Sequence, residues 1–378
     1  MAYVAAHNIF SPLGATSAAT FAAVAAGRSA VAAHAGIFPG DEPVWSARLP
    51  AGWDLALALD EGFSPFEQLL IASIREATAR TDVALTSART VFVFATTKGN
   101  IGLLDEAAAV SPALVNRLSL TASARAVARY FGSPVAPVVV SNACISGVAA
   151  LLLAQRLLAS GQYDAAVVAG ADTVSRFVLA GFRAFQALSA GPCKPFSEDR
   201  SGINLGEAAA TVVLTARPPA GAGPAVRLAG GATSNDANHI SGPSRTGAEL
   251  AQAIVLALAA AGRAAAEVDF VSAHGTATPY NDAMEAQAFA LSGVLAKPVF
   301  SVKGALGHTL GAAGLVESVL SVLALTEGCL LPTAGYSQPM RPQALQIATI
   351  ARPAALRVAL KTASGFGGCN GALVFERA

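Results

Sequence analysis

One uncharged stretch limits the fold more than any other part of this 378-residue chain. Between Arg129 and Arg156 there is no Asp, Glu, Lys or Arg, a span long enough to cross a bilayer. Pro134, Pro137, Ser141, Asn142 and Gly147 divide it into short pieces, so it reads as a buried strand and helix and not as a membrane span. The β-branched run within Val138–Gly147 (VVVSNACISG) stops at Ser141-Asn142, Cys144 follows, and Ile145-Ser146-Gly147 opens an Ala- and Leu-rich helix running to Ser160. A second buried strand at Ala165–Ala171 completes a strand-helix-strand unit of the parallel-sheet type, which makes the chain α/β. Unpaired N–H groups and the positive end of the helix dipole favour a thiolate at a helix entrance. Cys144 is therefore either a nucleophile or, like most cysteines, a small buried hydrophobe.

Composition narrows the classes. The chain is 53% hydrophobic and 13% charged, which implies a deep interior and excludes a disordered or fibrous protein. A net charge of +1 with mixed signs gives no footprint for nucleic acid or an anionic membrane, and neither is expected as a partner. Cys144, Cys193, Cys329 and Cys369 are scattered without CxxC spacing, which fits a reducing cytoplasm better than a disulfide framework or a zinc site. The N-terminal MAYVAAHNIFSP has neither the basic start nor the sustained apolar core of an export signal.

In chain order, the patterns predict a strand at Ala2–Phe10, a helix at Thr16–Ala26 and a loop layer over residues 28–64. Ser64-Pro65-Phe66-Glu67 starts a helix to about Ala79, with Ser as N-cap and Glu67 three residues on. Thr90–Thr97 is a strand followed by the turn Lys98-Gly99-Asn100, and Ser123–Tyr130 reads as helix. A loop spans Ser189–Arg200, and Ala208–Leu214 is a strand. The Pro- and Gly-rich Arg217–Gly223 marks the best boundary, dividing the chain into residues 1–216 and 217–378. Beyond it the order of elements recurs, with strands at 225–230, 268–273 and 298–302, helices at 246–262, 281–292 and 311–327, and paired strands near 355–362 and 371–376. Letter identity between the halves is too weak to name a repeat, yet a duplicated α/β architecture is the economical reading.

The second half carries two histidine motifs. VDFVSAHGTAT at Val268–Thr278 ends an apolar strand at His274, where open α/β sheets place their chemistry. SVKGALGHTLGAAG at Ser301–Gly314 puts Lys303 and His308 on a glycine-rich loop ahead of a helix. Either histidine alone reads more often as a structural residue. Together with Cys144 they suit acyl transfer, thiolate as nucleophile and imidazole as proton carrier or hydrogen-bond donor.

Cys144 in NACISG, His274 in HGTATPYND, Lys303 and His308 in KGALGHTLGAAG, and GFGGCN at Gly365–Asn370 together resemble the elongating, Cys-His-His β-ketoacyl-acyl-carrier-protein synthases. SPLG at Ser11–Gly14, AGFRAFQALS at Ala180–Ser189, PFSEDRSGINLGEAA at Pro195–Ala209 and SNDANHISGP at Ser234–Pro243 agree, so the resemblance covers nearly the whole chain. It implies a thiolase fold, two βα halves in a five-layer α-β-α-β-α sandwich, normally a dimer with itself or with a related ketosynthase-like subunit. It implies that Cys144 takes an acyl chain from an acyl carrier protein, and that malonyl carrier protein loses CO2 and attacks that thioester in a Claisen condensation. By the same resemblance His274 and His308 hold the malonyl thioester, and the backbone N–H groups of Cys144 and Phe366 form the oxyanion hole, with Phe366 also a gate. Lys303 shapes the electrostatics around His308 and orders the site with Glu317, and Thr276 and Thr278 bind the phosphopantetheine arm. The resemblance further implies that Ile145, Ile203 and His239 border the acyl pocket, with His239 either a pocket-wall or a structural residue. No metal or redox cofactor is implied, because decarboxylation supplies the carbanion.

Structural readings stand beside these. Glu207 and Glu317 serve equally well as buried partners of backbone or Arg groups, His7 and His34 belong to no motif, and Cys193, Cys329 and Cys369 read as fillers. Departures from the family pattern bear on substrate: Ile145 follows the nucleophile, Ile203 stands where the family has Phe, and TASGFGGCN replaces NSFGFGGTN. The loop at Ser189–Pro195 is short, and Lys98 lies near the expected far end of the acyl pocket, either solvated or facing a polar acyl terminus. These features favour a specialised type II pathway, such as a polyene or aryl-polyene assembly line, over housekeeping fatty-acid synthesis. Two other readings are a non-condensing chain-length-type subunit, which usually lacks the nucleophile, and a thiolase-like acyl transferase, which generally has a second cysteine where this chain has GFGG.

Overall fold

The computed structural model describes residues 2–38, 43–54, 57, 59, 62–105, 107–219, 225–237 and 242–377. Apolar runs give strands in the first half at Ala2–Phe10 (β1), Thr90–Ala95 (β2), Val138–Val140 (β3), Ala165–Asp172 (β4) and Ala208–Thr215 (β5). In the second half they give Val226–Asn235 (β6), Phe270–Ser272 (β7), Pro298–Phe300 (β8), Gln346–Ile347 (β9), Val358–Gly365 (β10) and Cys369–Arg377 (β11). Hydrogen bonds order the first set β3-β2-β4-β5-β1 and the second β9-β8-β7-β10-β11-β6. Leaving out the short edge strand β9, both halves have the order 3-2-4-5-1. The senses match as well: β3, β2 and β4 are parallel, as are β8, β7 and β10. Apart from the parallel edge pair β8–β9, the remaining pairs within each half are antiparallel. The duplication is thus plain in topology where it was too weak to read in letters. The halves join where Ala2 and Tyr3 of β1 pair antiparallel with Leu228 and Arg227 of β6.

The principal helices are Pro65–Thr78 (α1), Ser146–Ala159 (α2), Ala248–Ala261 (α3), Pro279–Leu291 (α4) and Ala313–Glu327 (α5). Alternation along the strands assigns them to layers. In β2, Phe92 and Phe94 face outward to Phe66, Leu70 and Ile74 of α1, while Val91 and Val93 face inward. In β10, Leu360 packs outward with Ile254 of α3 and Phe289 of α4, while Ala359 and Ala363 face inward. The inward faces of both sheets share one core with Val148, Leu151 and Leu152 of α2 and Val316, Val319 and Leu320 of α5. The result is the five-layer α-β-α-β-α thiolase sandwich, with strands covered on both faces and therefore apolar at nearly every position. The two central helices touch at Gly147 and Gly314: a Cβ on Gly147 would sit 2.6 Å from the Leu315 amide nitrogen, and one on Gly314 2.7 Å from that of Val148. Only glycine admits so close a crossing. The stretch Leu310–Glu327 is long and apolar enough to span a membrane, but 89% of it is buried between the sheets as core.

Most expected elements form within a few residues of their predicted ends. Ser64 and Glu67 make the reciprocal capping box, and Thr16 caps the helix Ser17–Ala25. Three expectations are corrected. The loop layer at 28–64 contains a hairpin, Val31–His34 with Val44–Ala47, too short to show a period. Helices at Pro112–Leu118 and Arg176–Ala184 form where no helix was expected, each with a serine N-cap. Lys303 begins a one-turn helix, Lys303–Leu306, instead of lying in a loop, because its neighbours pack against the hairpin: the Ala30 amide bonds the Ala305 carbonyl.

Candidate functional site

The parallel strands end in a common crevice, and the duplicated topology brings three of those ends together. At the end of β3 the chain turns sharply through Ala143, whose φ of 45 is unusual for a residue with a side chain, and delivers Cys144 two residues before α2. Ser146 locks this elbow: its hydroxyl donates to the Ala143 carbonyl (2.6 Å) and accepts from the Asn142 amide (2.8 Å). At the end of β7, the Glu285 carboxylate of α4 accepts from the backbone amides of His274 (2.8 Å) and Gly275 (2.6 Å). Asn281 Nδ2 and Thr362 Oγ1 complete its shell at 3.0 and 3.1 Å. After β8, the His308 backbone is clamped on both sides, its amide to the Asn204 carbonyl (2.7 Å) and its carbonyl to the Gly206 amide (3.0 Å).

The Cys144 sulfur and ring nitrogens of His274 and His308 all lie within 4.8 Å of one another. The two rings meet edge to face, 5.2 Å between centroids. Among the described residues this is the one cluster of such donors near enough together to hold a metal, and the same three side chains suit thioester chemistry. Lys303 Nζ reaches Nδ1 of His274 (3.1 Å), the His274 carbonyl (2.5 Å) and Glu317 Oε1 (2.5 Å). Lys303 therefore hydrogen-bonds His274 directly, while its charge also bears on His308; the one-turn helix points its side chain under the β7 end. Because an ammonium can only donate, it leaves the proton of neutral His274 on Nε2. Neither ring nitrogen of His308 has a hydrogen-bond partner among the described residues.

Burial governs the protonation states. It drives both imidazoles well below 6.5, and Lys303 and Lys361 add to the effect by repulsion, so both rings are neutral at physiological pH. Burial also pushes the Cys144 thiol up to about 12, reinforced by the Cys369 sulfur and opposed by Lys303 and the Phe366 amide. The expectation of a ready thiolate is thus corrected. Desolvation at a residue only 8% exposed outweighs the helix terminus, and Cys144 rests as a thiol.

Cys144, His274 and His308 open into a cavity of about 300 Å3. Thr276 and Thr278 line it, their hydroxyls 2.8 Å apart, as do Ile203 and Phe366. Phe366 is wedged between Phe182 (5.6 Å) and Phe185 (5.2 Å), and its amide faces the Cys144 sulfur. Ile145 departs from expectation: the helix start turns it into the central core, away from the cavity wall. His239 lies outside the described residues, and the Lys98 side chain is exposed. Cys369 also turns into the core, near the Phe366 carbonyl (3.4 Å). Glu207 braces the backbone amides of Leu49 and Val174, which fits its structural reading. His7 bonds Ser17 and His34 the Ser46 carbonyl, both remote from the cavity. Cys193, a filler in sequence, packs its sulfur 3.4 Å from the Lys303 carbonyl.

Several buried charges lacked a sequence signal. Asp172, at the end of β4, accepts from Thr96 Oγ1 (2.8 Å) and the amides of Thr97 and Gly311 (3.1 and 2.7 Å), tying the β2 turn to the loop after His308. Burial raises it to about 6. Asp282, raised to about 7, caps the Phe196 amide at 2.7 Å. Lys361 lies 2.8 Å from Glu317 Oε2. An acid or base in an apolar strand or helix has no readable partner until the fold supplies one.

Comparison with known proteins agrees with this geometry. Residues 59–220 match the family model for the beta-ketoacyl synthase N-terminal domain, and residues 225–337 that for the C-terminal domain. The chain is 33% identical over 286 residues to a 3-oxoacyl-[acyl-carrier-protein] synthase 2 of Mycobacterium tuberculosis, covering 71% of this chain and 68% of that one. A 3-oxoacyl-[acyl-carrier-protein] synthase 2 of Rhizobium meliloti is 35% identical over 252 residues, 63% of this chain and 60% of the relative. Among solved structures, a chain of the ishigamide ketosynthase/chain length factor superposes with a TM-score of 0.90 at 27% identity, covering 100% of this chain and 99% of its own. The ketosynthase ApeO in complex with its chain length factor ApeC, from Xenorhabdus doucetiae, gives 0.85 at 26% identity, covering 100% and 98%. With both family domains matched in order and the Cys-His-His cluster assembled at the strand ends, the chain belongs to the β-ketoacyl synthase family, the condensing acyltransferases of fatty-acid and polyketide synthesis.

Proposed function

We propose that Cys144 is the acyl-carrying nucleophile and that His274 and His308 bind and activate the malonyl unit. The observation that carries this is the convergence of one thiol and two neutral imidazoles within 4.8 Å at a cavity. In acyl transfer, the Cys144 sulfur bonds the acyl carbon while its proton passes to an imidazole and the phosphopantetheine thiol leaves. The backbone N–H groups of Cys144 and Phe366 stabilise the oxyanion. The malonyl thioester then enters, its carbonyl oxygen held by Nε2–H of His274 and by His308. Its carbon–carbon bond to the carboxylate breaks, CO2 departs, and the electron pair becomes an enolate. The enolate carbon attacks the Cys144 thioester, the carbon–sulfur bond breaks, the released thiolate takes up one proton from solvent, and Cys144 is restored as the β-ketoacyl carrier protein leaves. Every electron pair comes from the substrates, so no metal or redox cofactor is required.

Thr276 and Thr278 hydrogen-bond the phosphopantetheine arm, and Phe366 with Ile203 gates the acyl chain; their places on the cavity wall support these roles. Ile145 then shapes the pocket only through the core behind Cys144, and His239 is retained as a pocket residue. The protein acts in the cytoplasm, on substrates carried by an acyl carrier protein, as a dimer with itself or with a chain-length-factor-like subunit. The half-buried edge strand β3 and the neighbours solved with chain length factors support the pairing. Residues 1–216 and 217–378 are its two halves. A specialised type II pathway, such as a polyene-type assembly line, is retained on the departures at Ile203 and TASGFGGCN. A non-condensing subunit is disfavoured by the complete trio, and thiolase-like transfer by the turn of Cys369 into the core. Incubation with acyl and malonyl carrier proteins, followed by intact mass, is expected to show a thioester on Cys144 and a product two carbons longer. Absence of acylation at Cys144, or acylation without elongation, overturns the reading.

A further inference from the structure

Glu317 needs one counter-ion and has two. Lys303 Nζ lies 2.5 Å from Oε1 and Lys361 Nζ 2.8 Å from Oε2, both lysines at 0% exposure and the glutamate at 2%. The other carboxylate within reach, Glu285, is already committed to the backbone amides that hold His274 in place. Lys361 also stands in a fully buried stretch of β10 whose neighbours are Leu360 and Thr362, where burying a second ammonium is costly unless it is paired and bonded. Neutralising Glu317 does not explain it, since Lys303 does that.

Its placement does. Lys361 Nζ donates to the Thr362 carbonyl and, at 3.3 Å, to the carbonyl of Ser272, the last residue of β7 and two before His274. We propose that Lys361 is a positioning residue of the condensing site: its carbonyl bonds anchor the strand end bearing His274, and its ammonium stands as a second cation beside the Lys303–Glu317 pair. Neutrality matters because a protonated His274 can no longer accept from Lys303 at Nδ1, and a protonated ring cannot take the Cys144 proton. Besides each other, the rings face the following charged and titratable groups among the described residues. Lys303 comes from its one-turn helix, Lys361 from β10, Glu317 from α5, Glu285 from α4 and the Cys144 thiol from the elbow before α2. Burial is the largest cause, Lys303 the largest charge effect, the His308 ring adds to it at His274, and Lys361 acts in the same direction on each ring.

The inference rests on the roles proposed for His274 and His308, and its test separates the two. The chain has five histidines, so protein labelled with 13C at imidazole Cε1 gives a countable NMR spectrum, assigned with His→Gln variants. In the wild-type protein the His274 and His308 signals are expected to keep their neutral positions through and below the ordinary imidazole range. In Lys361→Met at least one is expected to titrate about one pH unit higher, with the acid limb of malonyl-thioester decarboxylation moving up by a similar amount. Lys361→Arg, which keeps the charge, is expected to retain the wild-type limb. Unchanged histidine titration in Lys361→Met, even with a lowered melting temperature, overturns the proposal and leaves the lysine a purely structural role. If Lys361→Met does not fold, Lys361→Gln answers the same titration. A wild-type protein that decarboxylates nothing at any pH refutes the functional reading, while the titration still decides Lys361.

Discussion

The two halves share one strand order and one set of strand senses, yet they use their strand ends differently. After its third strand, the first half needs only four residues, Ser141–Cys144, to deliver a thiol at the start of α2. The second half spends twelve residues, 301–312, between β8 and α5, room enough for Lys303 on a helical turn and for His308. After the second strand, the first half has the Thr96–Lys98 turn bound by Asp172, and the second has His274 bound by Glu285. Between strands four and five, the first half makes a long excursion through Arg176–Ala184, while the second turns at once through Phe366–Gly368 beside Cys144. Duplication thus supplied two equivalent frames facing one crevice. The equivalence is broken at the site: in the proposed mechanism the nucleophile comes from one half and the proton-handling groups from the other.

The largest test of this division removes one side at a time. Cys144→Gln is expected to lower condensation at least about a thousandfold while leaving malonyl decarboxylation intact, measured by product mass and by released CO2. His274→Ala and His308→Ala should do the reverse, cutting decarboxylation by about 100- to 1,000-fold with acylation of Cys144 still visible. Equal loss of both partial reactions in either variant would erase the division. The ion pairs come next. Glu317→Gln leaves two buried ammonium groups facing each other, and a loss of about 3–5 kcal/mol is expected in urea denaturation.

The crossing of the central helices tests the symmetry itself. Gly147→Ala and Gly314→Ala place their methyl groups against one another's backbones, and each should cost about 1–3 kcal/mol. Similar losses are expected, since the two glycines face each other at one crossing. The smallest effect contrasts a first-half histidine with those of the site. Burial holds His7 at about 4, below its unfolded value near 6.5. The stability from its neutral ring is therefore complete above pH 6.5 and is lost as pH falls towards 4. Between pH 7 and pH 5 it accounts for about 2 kcal/mol, which His7→Gln should remove from the pH dependence of the urea midpoint without changing the rate of condensation.

The sequence by itself determined the α/β class, nearly every principal strand and helix, and the short list Cys144, His274, Lys303 and His308. These were legible because their signals are local: apolar runs bounded by turn residues, a capping box at Ser64, and motifs in which a reactive side chain follows a strand. Only the tertiary structure decided what depends on groups distant in the chain. It showed that the halves repeat strand for strand, since hydrogen-bond order survives when letters have diverged. It turned Ile145 and Cys369 into the core, directed Lys303 to His274, and made the Cys144 thiol weakly acidic, because desolvation is a property of the closed fold and not of a helix terminus. It gave meaning to Glu285, Asp172 and Lys361, buried charges that have no reading until their partners arrive from other strands.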